Sequence, residues 1–134
     1  MKNHFGNFAH WLKEKYLDNG SKLIEVGSND GTLLENFKNM NIEAIGYEPS
    51  KTIAELANKK NIKTLNKFFN SQNIQDINHF HSSVDVICSA NVIAHIPDLR
   101  DVIKSVDKLL SSKGLLIFEE PYLGSMFSKV SYDQ

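Results

Sequence analysis

The sequence predicts an α/β domain: a mostly parallel sheet with helices on both faces. Apolar strand-like runs alternate with segments of helical periodicity, the pattern of repeated strand–helix–strand crossovers. The run VDVICSA (84–90) is almost continuously apolar, as strands are when both faces are covered. The polar residues richest in chemistry fall just after the apolar runs, where sheets of this kind bind ligands.

In chain order, Phe5, Phe8, Trp11, Leu12 and Tyr16 recur at helical spacing, which predicts an amphipathic helix over about 3–18, stopped near Asn19-Gly20. KLIEVG is the first strand, followed by a helix over about 32–39. EAIGYEP is the second strand; Pro49-Ser50 turns the chain, and Ser50 is placed to cap a helix over 51–60 with its hydroxyl. IKTLNKFF holds a short third strand, and a weaker helix is expected over 71–78. After VDVICSA, Pro97-Asp98 opens a helix whose expected apolar face is Leu99, Val102, Ile103, Val106, Leu109 and Leu110, ended by Lys113-Gly114. GLLIFEEP is the fifth strand.

The 134 residues suit one domain over 1–134. A net charge of -1, with lysines scattered among acids and asparagines, gives no electrostatic footprint for nucleic acid. Cys88 stands alone, which fits a reducing cytoplasm. No apolar run approaches the roughly 20 residues that span a bilayer, and 1–10 lacks a signal-peptide core, so a soluble intracellular protein is expected.

LIEVGSNDGTLL (23–34) carries the chemistry. Gly27 lets the chain turn sharply after the strand and leaves room for a ligand; Gly31 permits close contact at the start of the next segment. With Glu25 the pattern is acid-x-Gly-x-x-x-Gly, which favours S-adenosylmethionine over a dinucleotide. A pyrophosphate wants backbone N–H groups, whereas the aminoacyl end of S-adenosylmethionine is an ammonium beside a sulfonium, which acids favour. A dinucleotide turn would also want glycine where Asn29 stands. Glu48 closes the second strand about 20 residues after the turn, the spacing for a carboxylate that accepts from ribose hydroxyls.

Other positions admit two readings. Asn29 and Asp30 either touch ligand or stabilise the turn by local hydrogen bonds. Phe69 and Asn70 are placed to meet an adenine ring, unless Phe68 and Phe69 are core plugs. Asn91 follows the fourth strand and is placed to face the methionine end of the ligand. A histidine at position 95 invites a role in proton abstraction, yet beside Ile93, Ile96 and Pro97 a structural role is the better reading. His79 and His81 lack partners for a metal site.

HFGNFAHWL, EVGSNDGTLL, GYEPS, SANVIAHIPDL and FEEPYLGSMFSKVSYDQ together resemble class I S-adenosylmethionine-dependent methyltransferases, and more closely the C-methyltransferases of nucleotide-linked deoxysugars. The resemblance covers nearly the whole chain. It implies a Rossmann-like core with strand order 3-2-1-4-5, and a cofactor held by Glu25, Gly27, Ser28, Asn29, Gly31, Glu48 and the adjoining Pro49, with Asn91 near its methionine end. Members of that family carry an N-terminal zinc module and, beyond a segment like SYDQ, a Tyr/Glu/His-rich stretch with the catalytic base and a further domain that grips the nucleotide sugar. The resemblance therefore implies cofactor binding without a catalytic residue in this chain, and a sheet lacking the family's last two strands. The fifth strand would then be an apolar edge, covered by 122–134 or by a second copy in a homodimer. Two other readings stand beside this one. One is a small stand-alone methyltransferase for another small molecule, helped by His95 or Tyr122; the other is a non-enzymatic cofactor-binding or interaction module.

Overall fold

The computed structural model describes residues 2–120; the expected covering segment 122–134 lies outside the described residues. Helix α1 (Lys2–Lys15) precedes β1 (Lys22–Val26), a 3-10 turn (Leu34–Phe37), β2 (Glu43–Tyr47), α2 (Lys51–Lys59) and β3 (Thr64–Leu65). A 3-10 segment (Asn73–Phe80), β4 (Val84–Ala90), a short 3-10 turn (Ile93–His95), α3 (Leu99–Leu109) and β5 (Leu110–Glu119) complete the order. The five strands pair in the order β3-β2-β1-β4-β5, every pair parallel, as the α/β reading requires. Strand order reverses between β1 and β4, so the carboxyl ends of these two strands open a crevice.

Alternation along β1 divides the core. Ile24 and Val26 face a cluster with Ile45, Tyr47, Phe80, Ile87 and Val106, whereas Leu23 packs with Leu12, Leu33, Phe37 and Cys88 on the other face. Glu25 shares the parity of Leu23, which places a carboxyl on an otherwise apolar face. Cys88 is buried and free. No helix among the described residues is long and apolar enough to cross a membrane.

Several element expectations are corrected. The helix expected over 32–39 is only the turn Leu34–Phe37, because the Asn36 side-chain amide donates to the Thr32 and Leu33 carbonyls and competes with the helical backbone pattern. The segment expected over 71–78 is a 3-10 run kinked at Ile77. Ser50 caps α2 without its hydroxyl: its backbone N–H donates to Glu48 Oε1 at 2.8 Å, and its carbonyl accepts from Ala54. Helix α3 does begin at an Asp98 cap, whose carboxylate accepts from the Asp101 N–H at 3.0 Å. It ends at Leu109, not at Lys113-Gly114, because Ser82 and Ser83 donate to the free carbonyls of Lys108 and Leu109. Lys113-Gly114 instead lies in β5 where its pairing with β4 shifts register, from Val84↔Leu110 to Val86↔Leu115. Of the expected apolar face, Val102, Val106 and Leu109 are buried while Leu99 and Ile103 are exposed. Strand β5 is an edge among the described residues, with Leu115 and Phe118 exposed.

Candidate functional site

At the carboxyl ends of β1 and β4 lies a cavity of about 500 Å3. Glu25, Gly27, Ser28, Asn29, Asp30, Thr32 and Leu33 line one side, and Ala90, Asn91 and Val92 the other, with Phe5 of α1 reaching over. The turn that forms its floor is stapled to β2: the Gly27 and Ser28 N–H groups both donate to the Tyr47 carbonyl, at 2.8 and 3.0 Å. Gly27 has φ +72°, a region costly for residues with a Cβ, and a Cβ there would stand 2.7 Å from Val92 Cγ1. Gly31, at φ +80°, is crowded in the same way by Ile62.

Glu25 is 4% exposed, and its Oε2 has no hydrogen-bond partner; neither does the buried Ser28 Oγ. Burial, then the negative charges of Asp30 and Glu48, pushes the Glu25 pKa well above the usual carboxylate range. Buried polar groups are nearly always paired, so two orphans in one ligand-sized cavity mark positions that a polar ligand can satisfy. A cationic group suits Glu25: it supplies both the missing hydrogen bond and the counter-charge.

Glu48 does not line the cavity. Its carboxylate bridges two loops, accepting from the Asn29 N–H (3.1 Å) with Oε2 and from the Ser50 N–H (2.8 Å) with Oε1. A carboxylate has about four acceptor positions, so each oxygen keeps one for a further donor. Pro49 is exposed beside it, its carbonyl and that of Glu48 held by the Asn66 amide. Asn29 takes the left-handed conformation, φ +51°. Asp30 is occupied with the turn: it accepts from the Thr32 N–H and hydroxyl and pairs with Lys60 at 2.8 Å, which holds its pKa below the usual value. The turn-stabilising reading of Asp30 is the one its contacts support.

Phe69 and Asn70 are not brought to this cavity. Phe69 is buried, its ring edge-on to Tyr47 with centroids 5.2 Å apart, and Asn70 Oδ1 accepts from the Asn73 N–H. Phe69 is thus a core residue, the alternative that its sequence position left open. Its neighbour Phe68 is the exposed member of the pair, at 68%. Asn91 sits at the rim with φ +57°, its N–H donating to the Glu119 carbonyl at 2.7 Å. His95 is exposed and lines none of the cavities described here.

Three features were missed in the sequence. Phe5 reads there only as part of a helical stripe, and Val92 as one more apolar residue after β4. Glu120 Oε1 accepts from the N–H groups of Val92 (3.0 Å) and Ile93 (2.7 Å), clipping the loop that carries Asn91 to the end of β5. The EEP motif after an apolar run placed an acid at that strand end but not its partners.

A parallel sheet in this order, with a glycine turn after its first strand and an acid closing its second, is shared by dinucleotide-binding domains and class I S-adenosylmethionine-dependent methyltransferases; the comparisons with known proteins place the chain with the methyltransferases, whose cofactor is S-adenosylmethionine. The methyltransferase domain family matches residues 4–133, and the chain belongs to it. Over 117 residues the chain is 30% identical to the C-methyltransferase NovU of Streptomyces niveus, a match covering 87% of this chain and 28% of that protein. An S-adenosylmethionine-dependent methyltransferase from Archaeoglobus fulgidus superposes with a TM-score of 0.75 at 14% identity, covering 97% of this chain and 57% of that one. The CurJ carbon methyltransferase does so at 0.69 and 20% identity, covering 90% and 34%.

Proposed function

We propose that this chain binds S-adenosylmethionine in the β1–β4 crevice and forms the cofactor-binding core of a C-methyltransferase acting on a nucleotide-linked deoxysugar. The buried, unpartnered Glu25 carboxyl in the cavity is the observation that carries the cofactor assignment. Glu25 faces the ammonium of the methionine moiety, and the Gly27–Ser28 backbone and Asn29 lie alongside it. Gly31 keeps the turn tight, Glu48 accepts from ribose hydroxyls with Pro49 shaping the loop beside it, and Asn91 borders the methionine end. The bound cofactor supplies an electrophilic methyl group on sulfur. Carbon as the methyl acceptor rests on the likeness to the C-methyltransferase NovU, and the sugar class on the resemblance of the EEPYLG and SYDQ segments.

Of the acids lining the cavity among the described residues, Asp30 is tied to Lys60 and Thr32, and Glu25 is committed to the cofactor ammonium. C-methylation next to a ketone needs a proton acceptor and enolate stabilisation as well as a donor. Incubated alone with S-adenosylmethionine and a nucleotide-linked ketodeoxysugar, the chain is expected to give no methylated sugar by mass spectrometry. A methylated product would overturn the reading of catalytic incompleteness. Cofactor binding is tested by calorimetry with S-adenosylhomocysteine: one saturable site is expected, weakened at least about tenfold in Glu48→Ala, since hydrogen bonds to charged groups contribute about 1.5–3 kcal/mol. Absence of a saturable signal from the parent chain would reject the assignment.

A further inference from the structure

Next to the cofactor cavity, a second recess of about 340 Å3 is bounded by His4, Phe5, Asn91 and Glu119. Phe5 and Asn91 line both spaces, so the two adjoin at these side chains. The start of α1 and the end of β5 meet here across the length of the chain. His4 Nε2 and Glu119 Oε2 share a hydrogen bond of 2.9 Å. We propose that this recess receives the ring of the methyl acceptor, a hydroxyl-bearing ring such as a sugar, with His4 and Glu119 binding its hydroxyls and Phe5 against its apolar face. This inference rests on the acceptor class proposed above and names the residues that select it.

Adjacency is the first ground. Methyl transfer requires the acceptor atom to approach the donor methyl within about 3–3.5 Å and in line, so the acceptor ring must occupy space that shares a wall with the donor cavity. Chemistry is the second. A carboxylate accepts, so His4 Nε2 donates to Glu119, and Nδ1 is left to bond an acceptor hydroxyl. Glu119 keeps further lone pairs, and the Asn91 amide offers both a donor and an acceptor. Around a hydroxylated ring the rim presents O–H groups and the faces present C–H groups; polar groups beside one aromatic ring match that distribution. Charge is the third ground and fixes orientation. A diphosphate would be repelled by Glu119, so the uncharged ring enters the recess and the nucleotide end points away. The volume lies in the range of small-molecule sites, about 300–1,000 Å3.

The test uses the whole chain saturated with S-adenosylhomocysteine and titrated with a nucleoside-diphosphate hexose, followed by amide chemical shifts. Saturable shifts are expected at His4, Phe5, Asn91 and Glu119. His4→Ala and Glu119→Ala are each expected to weaken hexose binding at least about tenfold while leaving S-adenosylhomocysteine affinity within twofold. Both side chains are 58% exposed, so neither substitution opens the core, and retained S-adenosylhomocysteine binding reports an intact fold. Hexose binding that shifts other residues, that survives both substitutions, or that never saturates overturns the proposal while leaving the cofactor assignment standing. Failure of the parent chain to bind S-adenosylhomocysteine strikes the cofactor assignment itself, and this inference with it.

Discussion

Replacing Glu25 by Gln removes one ionisable group from the cavity and keeps its size and hydrogen-bonding capacity. In the ligand-free chain the folded state holds this carboxyl out of water near Asp30 and Glu48, so its pKa is raised above the ordinary value of 4.5. The folded chain therefore holds that proton more tightly than the unfolded chain does. The contribution to stability is fully present below the unfolded pKa and is lost as pH rises through the folded one. Glu25→Gln stays neutral throughout, so the ligand-free variant is expected to match the parent in acid and to exceed it at higher pH. Cofactor binding runs the other way. The ammonium of the ligand favours the ionised carboxylate, and a charge-assisted hydrogen bond contributes about 1.5–3 kcal/mol, so the variant should bind S-adenosylhomocysteine about 10- to 150-fold more weakly once the parent is ionised. Because the parent must release a proton to present that carboxylate, its affinity should rise with pH through the raised pKa, while the variant shows no such rise. Thermal melts with and without S-adenosylhomocysteine, and calorimetry across a pH series, read both effects. Equal affinity of parent and variant at high pH, or a ligand-free variant that gains no stability as pH rises, would refute the reasoning.

Three further outcomes follow from the contacts around the turn and the β5 end. Gly27→Ala combines a positive φ with a Cβ against Val92, and should destabilise the chain by about 1–3 kcal/mol in urea unfolding and abolish detectable S-adenosylhomocysteine binding. Asp30→Asn removes a pair with Lys60 whose members are more than a third exposed, so its cost at neutral pH should stay under about 1 kcal/mol. Because the Asp30 pKa is lowered, the parent's advantage is present above the unfolded value of 3.8 and vanishes as pH falls through the folded one; parent and variant should converge in acid unfolding curves. Glu120→Ala frees the Val92 and Ile93 N–H groups and should speed amide exchange there markedly while exchange within β1 is unchanged, with stability reduced by about 1.5–3 kcal/mol.

The strands were legible because burial on both faces leaves an unbroken apolar run, as in VDVICSA, and because the turn residues between runs have few conformational options. Gly27 and Gly31 were readable for the same reason: their positive φ values are the conformations that glycine adopts most easily. The helix over 32–39 was not, since its failure depends on one side chain, Asn36, taking two carbonyls that a helix would use. Nor was the end of α3, because the residues that stop it, Ser82 and Ser83, lie far away in sequence and act through backbone N–H groups. Of the adjacent aromatics Phe68 and Phe69, periodicity in a loop cannot say which turns inward; the Tyr47 ring decides it. Phe5 joined the cleft only through the packing of α1 over the end of the sheet.

Glu48 has one consequence beyond its hydrogen bonds. Its carboxylate is clasped from two sides by backbone donors, so its rotamer is already selected in the ligand-free chain. On the proposed assignment, a nucleoside arriving there need not freeze a wandering side chain, and the entropy of that ordering falls on folding instead of on recognition. Cutting the Asn29 or Ser50 contact would shift that burden to the encounter, so affinity would drop through a less favourable binding entropy with the ribose contacts themselves unaltered.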